Sequence, residues 1–171
     1  DGQPYGIVQG CGAEGVDACV RAADRAYHRV WKKLSPHERG SYLKKAAQAL
    51  REQARLIAKI ETEEVGKPLD VSNNDVRRCA EAFDFFGGLV GNLPSDFYEL
   101  GAVNAEIFLE PYGVVAGIVP FNWPPLHAGA KIAPALAAGN TMVVKPGDQA
   151  PLAVMKIVEI VQSVLPENVL E

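Results

Sequence analysis

The sequence predicts an α/β protein that is helical in its first half and opens into a parallel sheet in its second. Three observations carry that expectation. Residues 16–86 repeat apolar side chains at helical spacing. Residues 114–119 and 141–144 are short apolar runs rich in β-branched side chains, and a small-residue stretch of helical character, 128–138, lies between them. Two strands joined through a helix of that length form a right-handed parallel crossover in nearly all known cases.

The first helix is expected over Val16 to Leu34, where Val16, Val20, Ala23, Tyr27, Val30, Trp31 and Leu34 mark one buried face. Ser35-Pro36-His37-Glu38 starts the second: Ser35 caps, Pro36 takes the first helical position and Glu38 closes a capping box. Its inner face continues through Leu43, Ala46, Ala47, Leu50 and Ala54. A third helix runs from Arg51 to Val65 and stops at Gly66-Lys67-Pro68. A fourth covers Leu69 to Phe86, with Val76, Ala80, Phe83 and Phe86 inward. Gly87 to Gly101, rich in glycine and proline, reads as a surface connection, and Ala102 to Glu110 as a strand.

Val114 to Val119 suits a strand covered on both faces, and it ends at Pro120. The loop Phe121-Asn122-Trp123-Pro124-Pro125 leads into the helix at 128–138, whose Gly139-Asn140 end is a left-handed exit. Thr141 to Val144 is the second strand. Ligands of parallel sheets sit outside the carboxyl ends of the strands, so 121–125 and 145–148 are the candidate binding loops. In the second, Lys145 supplies a cation, Pro146 fixes the backbone, Gly147 permits close approach, and the Asp148 carboxylate can accept ribose hydroxyl protons.

Each candidate has a plainer role beside the functional one. Asn122 can order its own loop by bonding the backbone, Lys145 can be a solvated strand-end charge, and Asp148 can cap the helix that begins near Ala150 and Pro151. Phe121 and Trp123 read as wall or core. His127 reads as a structural residue, and His28 and His37 as helix-surface residues. Cys79 shares a face with Val76 and Phe83 and is expected to be packed and inert. Gly10-Cys11-Gly12-Ala13-Glu14-Gly15 satisfies G-x-G-x-x-G after the apolar Tyr5 to Val8. No second strand follows to bring an acidic residue to a ribose, so these glycines are expected to form a loop.

Composition sets the outer limits. A chain of 171 residues that is 48% hydrophobic and 22% charged can bury a core as an ordinary globular protein. A net charge of −4 without a basic stripe argues against nucleic acid as a partner. No apolar run reaches membrane-spanning length, and no basic-then-apolar leader opens the chain. Three unpatterned cysteines fit reduced thiols better than a disulfide framework or a metal site, and the expected location is cytoplasmic, with no metal.

Pro120-Phe121-Asn122-Trp123-Pro124, Lys131 to Asn140, and Val143 to Asp148 together resemble the aldehyde dehydrogenase superfamily, which carries P-[WF]-N-[FW]-P, K-x-A-P-A-L-A-x-G-N and V-x-K-P-[SAG]-[ED] in that order. The resemblance covers most of the chain, including the helices and G-K-P junction ahead of the sheet. It implies an incomplete Rossmann-like cofactor-binding domain: a helical region at 14–88, a strand of an oligomerisation hairpin at 102–110, and the opening of a dinucleotide-binding sheet at 112–171. It implies a homo-oligomer, a dimer or tetramer, acting on a small-molecule aldehyde with NAD, NADP being possible.

In that family the amide of the residue matching Asn122 donates to the oxygen of the tetrahedral intermediate. The backbone of Val119, Pro120 and Phe121 lies along the cofactor, and the lysine matching Lys145 holds the adenosine ribose. The glycine-rich pyrophosphate loop, the glutamate and the nucleophilic cysteine come later than the region ending at Glu171. The expectation is therefore an amino-terminal piece of a longer enzyme, inactive by itself, and the missing initiating methionine agrees. Two departures bear on chemistry. Asp148 stands where NAD-preferring members usually carry glutamate, beside Gly147 where serine or alanine is frequent; the carboxylate still repels a 2′-phosphate, so NAD is expected over NADP. Phe121, in place of the commoner tryptophan, also occurs in the branch that transfers the acyl group to coenzyme A. The alternatives are a noncatalytic truncated relative that binds a nucleotide or a partner subunit, a CoA-acylating semialdehyde dehydrogenase, and a structural module.

Overall fold

A computed structural model of the protein describes residues 6–92 and 95–171. Tyr5, and part of the expected connection at 87–101, lie outside the described residues. The helical half comprises α1 (Ala13–Arg29), a single 3-10 turn at Trp31–Lys33, α2 (Pro36–Glu52), α3 (Ala54–Val65) and α4 (Leu69–Leu89). A hairpin of β1 (Asp96–Glu99) and β2 (Asn104–Ile107) follows, then β3 (Val114–Ile118), α5 (Pro124–Ala137), β4 (Thr141–Lys145) and α6 (Leu152–Gln162).

The parallel crossover is present. β3 and β4 pair in parallel from Val114↔Thr141 to Ile118↔Lys145, with α5 between them in sequence. On the far edge of β4, residues 169–171 begin a third parallel partner: the Met142 N–H donates to the Val169 carbonyl at 3.0 Å and the Glu171 N–H to the Met142 carbonyl at 2.8 Å. The chain turns into β4 through Gly139 in the left-handed region at φ 90°, the glycine exit expected from sequence. Asn140 is buried there, its Oδ1 accepting from the Gly113 N–H and its Nδ2 donating to the Ala135 carbonyl.

Local capping chemistry explains the helix starts and stops. The Ser35 hydroxyl accepts from the Glu38 N–H at 3.3 Å while Glu38 Oε2 accepts from the Ser35 N–H at 2.8 Å, the capping box in full. α3 ends on Gly66 at φ 81°. The core joins Trp31, Leu43, Leu50, Ile57, Phe83, Ile132, Leu136 and Ile157, all fully buried, so the helices and the sheet share one apolar interior.

Several expectations are corrected. The first helix begins at Ala13 and breaks at Val30, so the last residues of the G-x-G-x-x-G motif are helical, while residues 6–12 carry no regular structure. Val16, Val20 and Val30 are exposed; the inner face is the smaller set Ala23, Ala26 and Tyr27, with Trp31 beyond it. α2 and α3 are separated by Gln53, and α3 begins at Ala54, three residues later than expected. α4 runs through Gly87 and Gly88 to Leu89, and Gly87 serves packing rather than turning: a Cβ on Gly40 of α2 would lie 2.5 Å from the Gly87 carbonyl oxygen. The connection at 87–101 contains β1, paired antiparallel with β2, and the strand at 102–110 shortens to residues 104–107. β3 is not covered on both faces, since Ala116 and Ile118 are exposed.

Candidate functional site

Both candidate loops emerge at the carboxyl end of the parallel pair, as expected. β3 ends at Ile118, and the Val119 N–H still donates to the Lys145 carbonyl at 2.9 Å, so the two loops leave the sheet side by side. They then touch. A Cβ built on Gly147 would meet the Phe121 nitrogen at 3.1 Å and the Val119 carbonyl oxygen at 3.3 Å. Gly147 thus permits a close approach of loop to loop, between the two candidate binding segments.

Val119 is buried, whereas Pro120, Phe121, Asn122 and Trp123 form an exposed corner before α5. Asn122 is exposed, and its side chain bonds no described residue. Pro124 and Pro125 are buried in the first turn of α5, and the His127 N–H donates to the Trp123 carbonyl at 3.0 Å, so the helix begins directly after the corner. His127 is half-buried, and His28 and His37 are on helix surfaces.

Lys145 and Asp148 are exposed and paired to each other through Nζ and Oδ1. Asp148 does not cap α6. That role belongs to Glu64 of α3, whose Oε1 accepts from the Leu152 N–H at 2.6 Å and Oε2 from the Ala153 N–H at 3.1 Å. A helix start is an anion site, and here a carboxylate from the same chain fills it. The corner therefore offers ribose-type partners, a cation and a carboxylate, while the start of α6 is closed to a phosphate by Glu64.

A charged cluster lies behind the corner that the sequence reading did not single out. Lys67 Nζ donates to Glu61 Oε1 at 2.6 Å and to Asp75 Oδ2 at 2.8 Å, and it sits 5.8 Å from the centre of the Trp123 ring. The Glu61 and Asp75 side chains are buried, and Glu61 Oε2 has no partner among the described residues. A signal for them exists: Glu61 stands four residues after Ile57 and Asp75 four before Cys79, which puts both on inward faces.

Burial pushes the Glu61 carboxyl above its ordinary value of 4.5, with the Lys67 ammonium opposing and the Asp75 carboxylate adding to the rise. The groups around it are Lys67, Asp75 and, through its own raised thiol, Cys79. Between pH 4.5 and its raised folded value, Glu61 holds a proton in the folded chain that the unfolded chain has released. That contribution to stability is complete below pH 4.5 and is lost as pH rises through the folded value. The expected outcome is a fall in urea midpoint across that window in the parent and a flatter profile in Glu61→Gln; equal slopes would refute it.

None of the three cysteines is a nucleophile candidate at this corner. Cys79 is buried against Gly129 of α5, and burial pushes its thiol up to about 12, so it is neutral near pH 7. Cys19 is also raised, chiefly by burial, and Cys11 is exposed ahead of α1. An apolar groove of about 210 Å³ lined by Phe86, Leu89, Val90, Pro134 and Ala137 lies at the other end of α5, so it is not part of the corner. Among the described residues no cluster of metal ligands and no helix long and apolar enough to cross a membrane is present.

Comparison with known proteins gives one consistent result. The model of the aldehyde dehydrogenase family matches residues 1–171. Aldehyde dehydrogenase citD of Monascus ruber is 44% identical over 170 residues, covering 99% of this chain and 34% of that protein. The crystal structure of PnpE from Pseudomonas sp. WBC-3 superposes with a TM-score of 0.93 at 36% identity, over 99% of this chain and 35% of that one. A PnpE structure in complex with nicotinamide adenine dinucleotide gives 0.87 at 38% identity, over 92% of this chain and 33% of the other. The chain spans about a third of the length of the curated relatives it matches.

Proposed function

Because the chain belongs to the aldehyde dehydrogenase family, we propose that it forms the amino-terminal third of an enzyme that oxidises an aldehyde to a carboxylic acid with NAD. The observation that carries this reading is the Asn122 amide, free of any described partner, at the carboxyl end of β3 beside the paired Lys145 and Asp148 at the end of β4. A preorganised amide donor with nothing else to satisfy is suited to an oxygen that gains negative charge during reaction.

In this reading Asn122 donates to the oxyanion of the tetrahedral adduct formed when a thiolate attacks the aldehyde carbon. The thiolate and the glutamate that activates water are supplied by sequence beyond these 171 residues. NAD, when bound, accepts the hydride released from that carbon. Lys145 and Asp148 would hold the adenosine ribose hydroxyls in place of their mutual pairing, and the backbone of Val119, Pro120 and Phe121 would line the cofactor. Asp148, exposed and uncompensated once Lys145 turns to the ribose, opposes a 2′-phosphate, which favours NAD over NADP. The exposed apolar side chains of the hairpin, Phe97, Tyr98 and Ile107, fit contact with another subunit of a homo-oligomer, since a two-stranded hairpin is marginal alone.

The test is calorimetric titration of the full-length protein with NAD and NADP, parent against Lys145→Ala and Asp148→Ala. The expected result is NAD affinity weakened about tenfold by Lys145→Ala, as for loss of one charge-assisted hydrogen bond, and a smaller preference for NAD over NADP in Asp148→Ala. The 171-residue chain alone is expected to reduce no NAD in the presence of an aldehyde. Unchanged affinities in both variants would overturn the cofactor assignment, and turnover by the isolated chain would overturn the division of labour.

A further inference from the structure

We propose that Lys67 is a positioning residue for the Asn122 amide, acting through the indole ring of Trp123; the proposal rests on the reading of Asn122 as oxyanion donor. The Asn122 side chain bonds no described residue, so whatever aims the amide must act through the backbone on either side of it. On one side Phe121 is pressed against Gly147, whose missing Cβ leaves the space that Phe121 occupies. On the other stands Trp123, the residue between Asn122 and the buried Pro124 that opens α5.

The Trp123 side chain does not cap α5, and the residue is 46% exposed, so burial alone does not hold it. Its charged neighbour is the Lys67 ammonium, 5.8 Å from the ring centre, inside the range of a cation–π contact. An ammonium has three N–H donors. One goes to Glu61 at 2.6 Å and one to Asp75 at 2.8 Å, which leaves one for the ring face. The Lys67 side chain is 13% exposed, little screened by water, and its carboxylate partners stand on α3 and α4 rather than on the loop. The cluster thus fixes the cation in the helical scaffold, and the cation fixes the ring. A long polar side chain spent on two buried carboxylates and an exposed indole is an expensive way to pack a helix end, and an economical way to tie a reactive corner to a rigid frame.

The test is steady-state kinetics of the full-length enzyme carrying Asn122→Ala, Trp123→Leu, Trp123→Phe, Lys67→Met and the double variant Lys67→Met/Trp123→Leu. Trp123→Leu leaves the buried ion cluster whole, so it reads the ring contact even where Lys67→Met fails to fold. The expected result is kcat lowered about 10- to 100-fold by Trp123→Leu, the range for a misplaced catalytic group, with KM within about twofold of the parent. Trp123→Phe, which keeps a ring face, retains most of the rate, and the double variant is no slower than the slower single variant because both act through one contact. The Trp123 emission, isolated as the difference between the parent and Trp123→Leu, shifts on Lys67→Met. The proposal is overturned by a Trp123→Leu kcat within about twofold of the parent while Asn122→Ala loses about 100-fold or more, or by independent losses that multiply in the double variant. An Asn122→Ala enzyme with parental kcat sinks the oxyanion reading itself, and the positioning role with it, while an emission shift on Lys67→Met in that case would still register the contact.

Discussion

Asn122→Ala in the full-length enzyme is expected to lower kcat about 100- to 1000-fold, the loss typical of removing one oxyanion donor, while KM for the aldehyde changes little. The two effects separate because an oxyanion exists only after attack on the carbonyl, so the lost bond belongs to the transition state rather than to substrate binding. Stability provides the control. Asn122 is exposed and its side chain bonds no described residue, so truncating it removes no hydrogen bond among the described residues, and stability is expected to hold within about 0.5 kcal/mol. Asn122→Asp sharpens the reading, since it keeps the shape and replaces a donor with a negative charge facing the developing oxyanion; it is expected to be at least as slow as Asn122→Ala. Rates measured by reduced-nicotinamide absorbance decide the matter, and a parental kcat in Asn122→Ala would eliminate the assignment.

The second large effect falls on stability. Lys67→Met leaves Glu61 and Asp75 facing each other in the interior with their shared cation gone, and breaking a buried pair from one side costs about 3–5 kcal/mol. Replacing all three, as Glu61→Gln, Asp75→Asn and Lys67→Met, is expected to recover much of that loss, because no uncompensated charge then remains buried. The pH dependence of the single variant follows from the same electrostatics. A protonated Glu61 needs no cation, so the deficit shrinks as pH falls toward the ordinary Glu61 value of 4.5 and grows above it. Urea unfolding of parent, single and triple variants at two pH values measures all of this. A single variant as stable as the parent near neutral pH would refute the account.

The parts of the fold that were legible in the sequence are those whose cause lies within a few residues along the chain. Ser35 and Glu38 announced their capping box, Gly66 its helix stop and Gly139-Asn140 its exit, because each satisfies backbone groups next to it. The parallel pairing of β3 and β4 followed from apolar runs around a helix too long for a hairpin. The position of Asn122, Lys145 and Asp148 at one end of that pair was legible too, since a strand's carboxyl end is fixed once the strand is found.

Tertiary structure alone decided the rest, and the reason is distance along the chain. Glu64 caps a helix 88 residues away, a role that displaces Asp148 and that no local pattern can announce. Glu61 sits in a run of glutamates that reads as a solvated face until α4 and Lys67 enclose it. Gly87 looked like a turn residue, yet it lies inside α4 because α2 approaches it closely at Gly40. By itself the sequence determined the order of the helices, the α2 cap, the α3 stop, the crossover and the family. Only folding decided which polar side chains would be buried, which partners would neutralise them and what would hold the Asn122 corner in place, because the penalty for an unpaired charge or an overlapping atom exists only once distant segments meet.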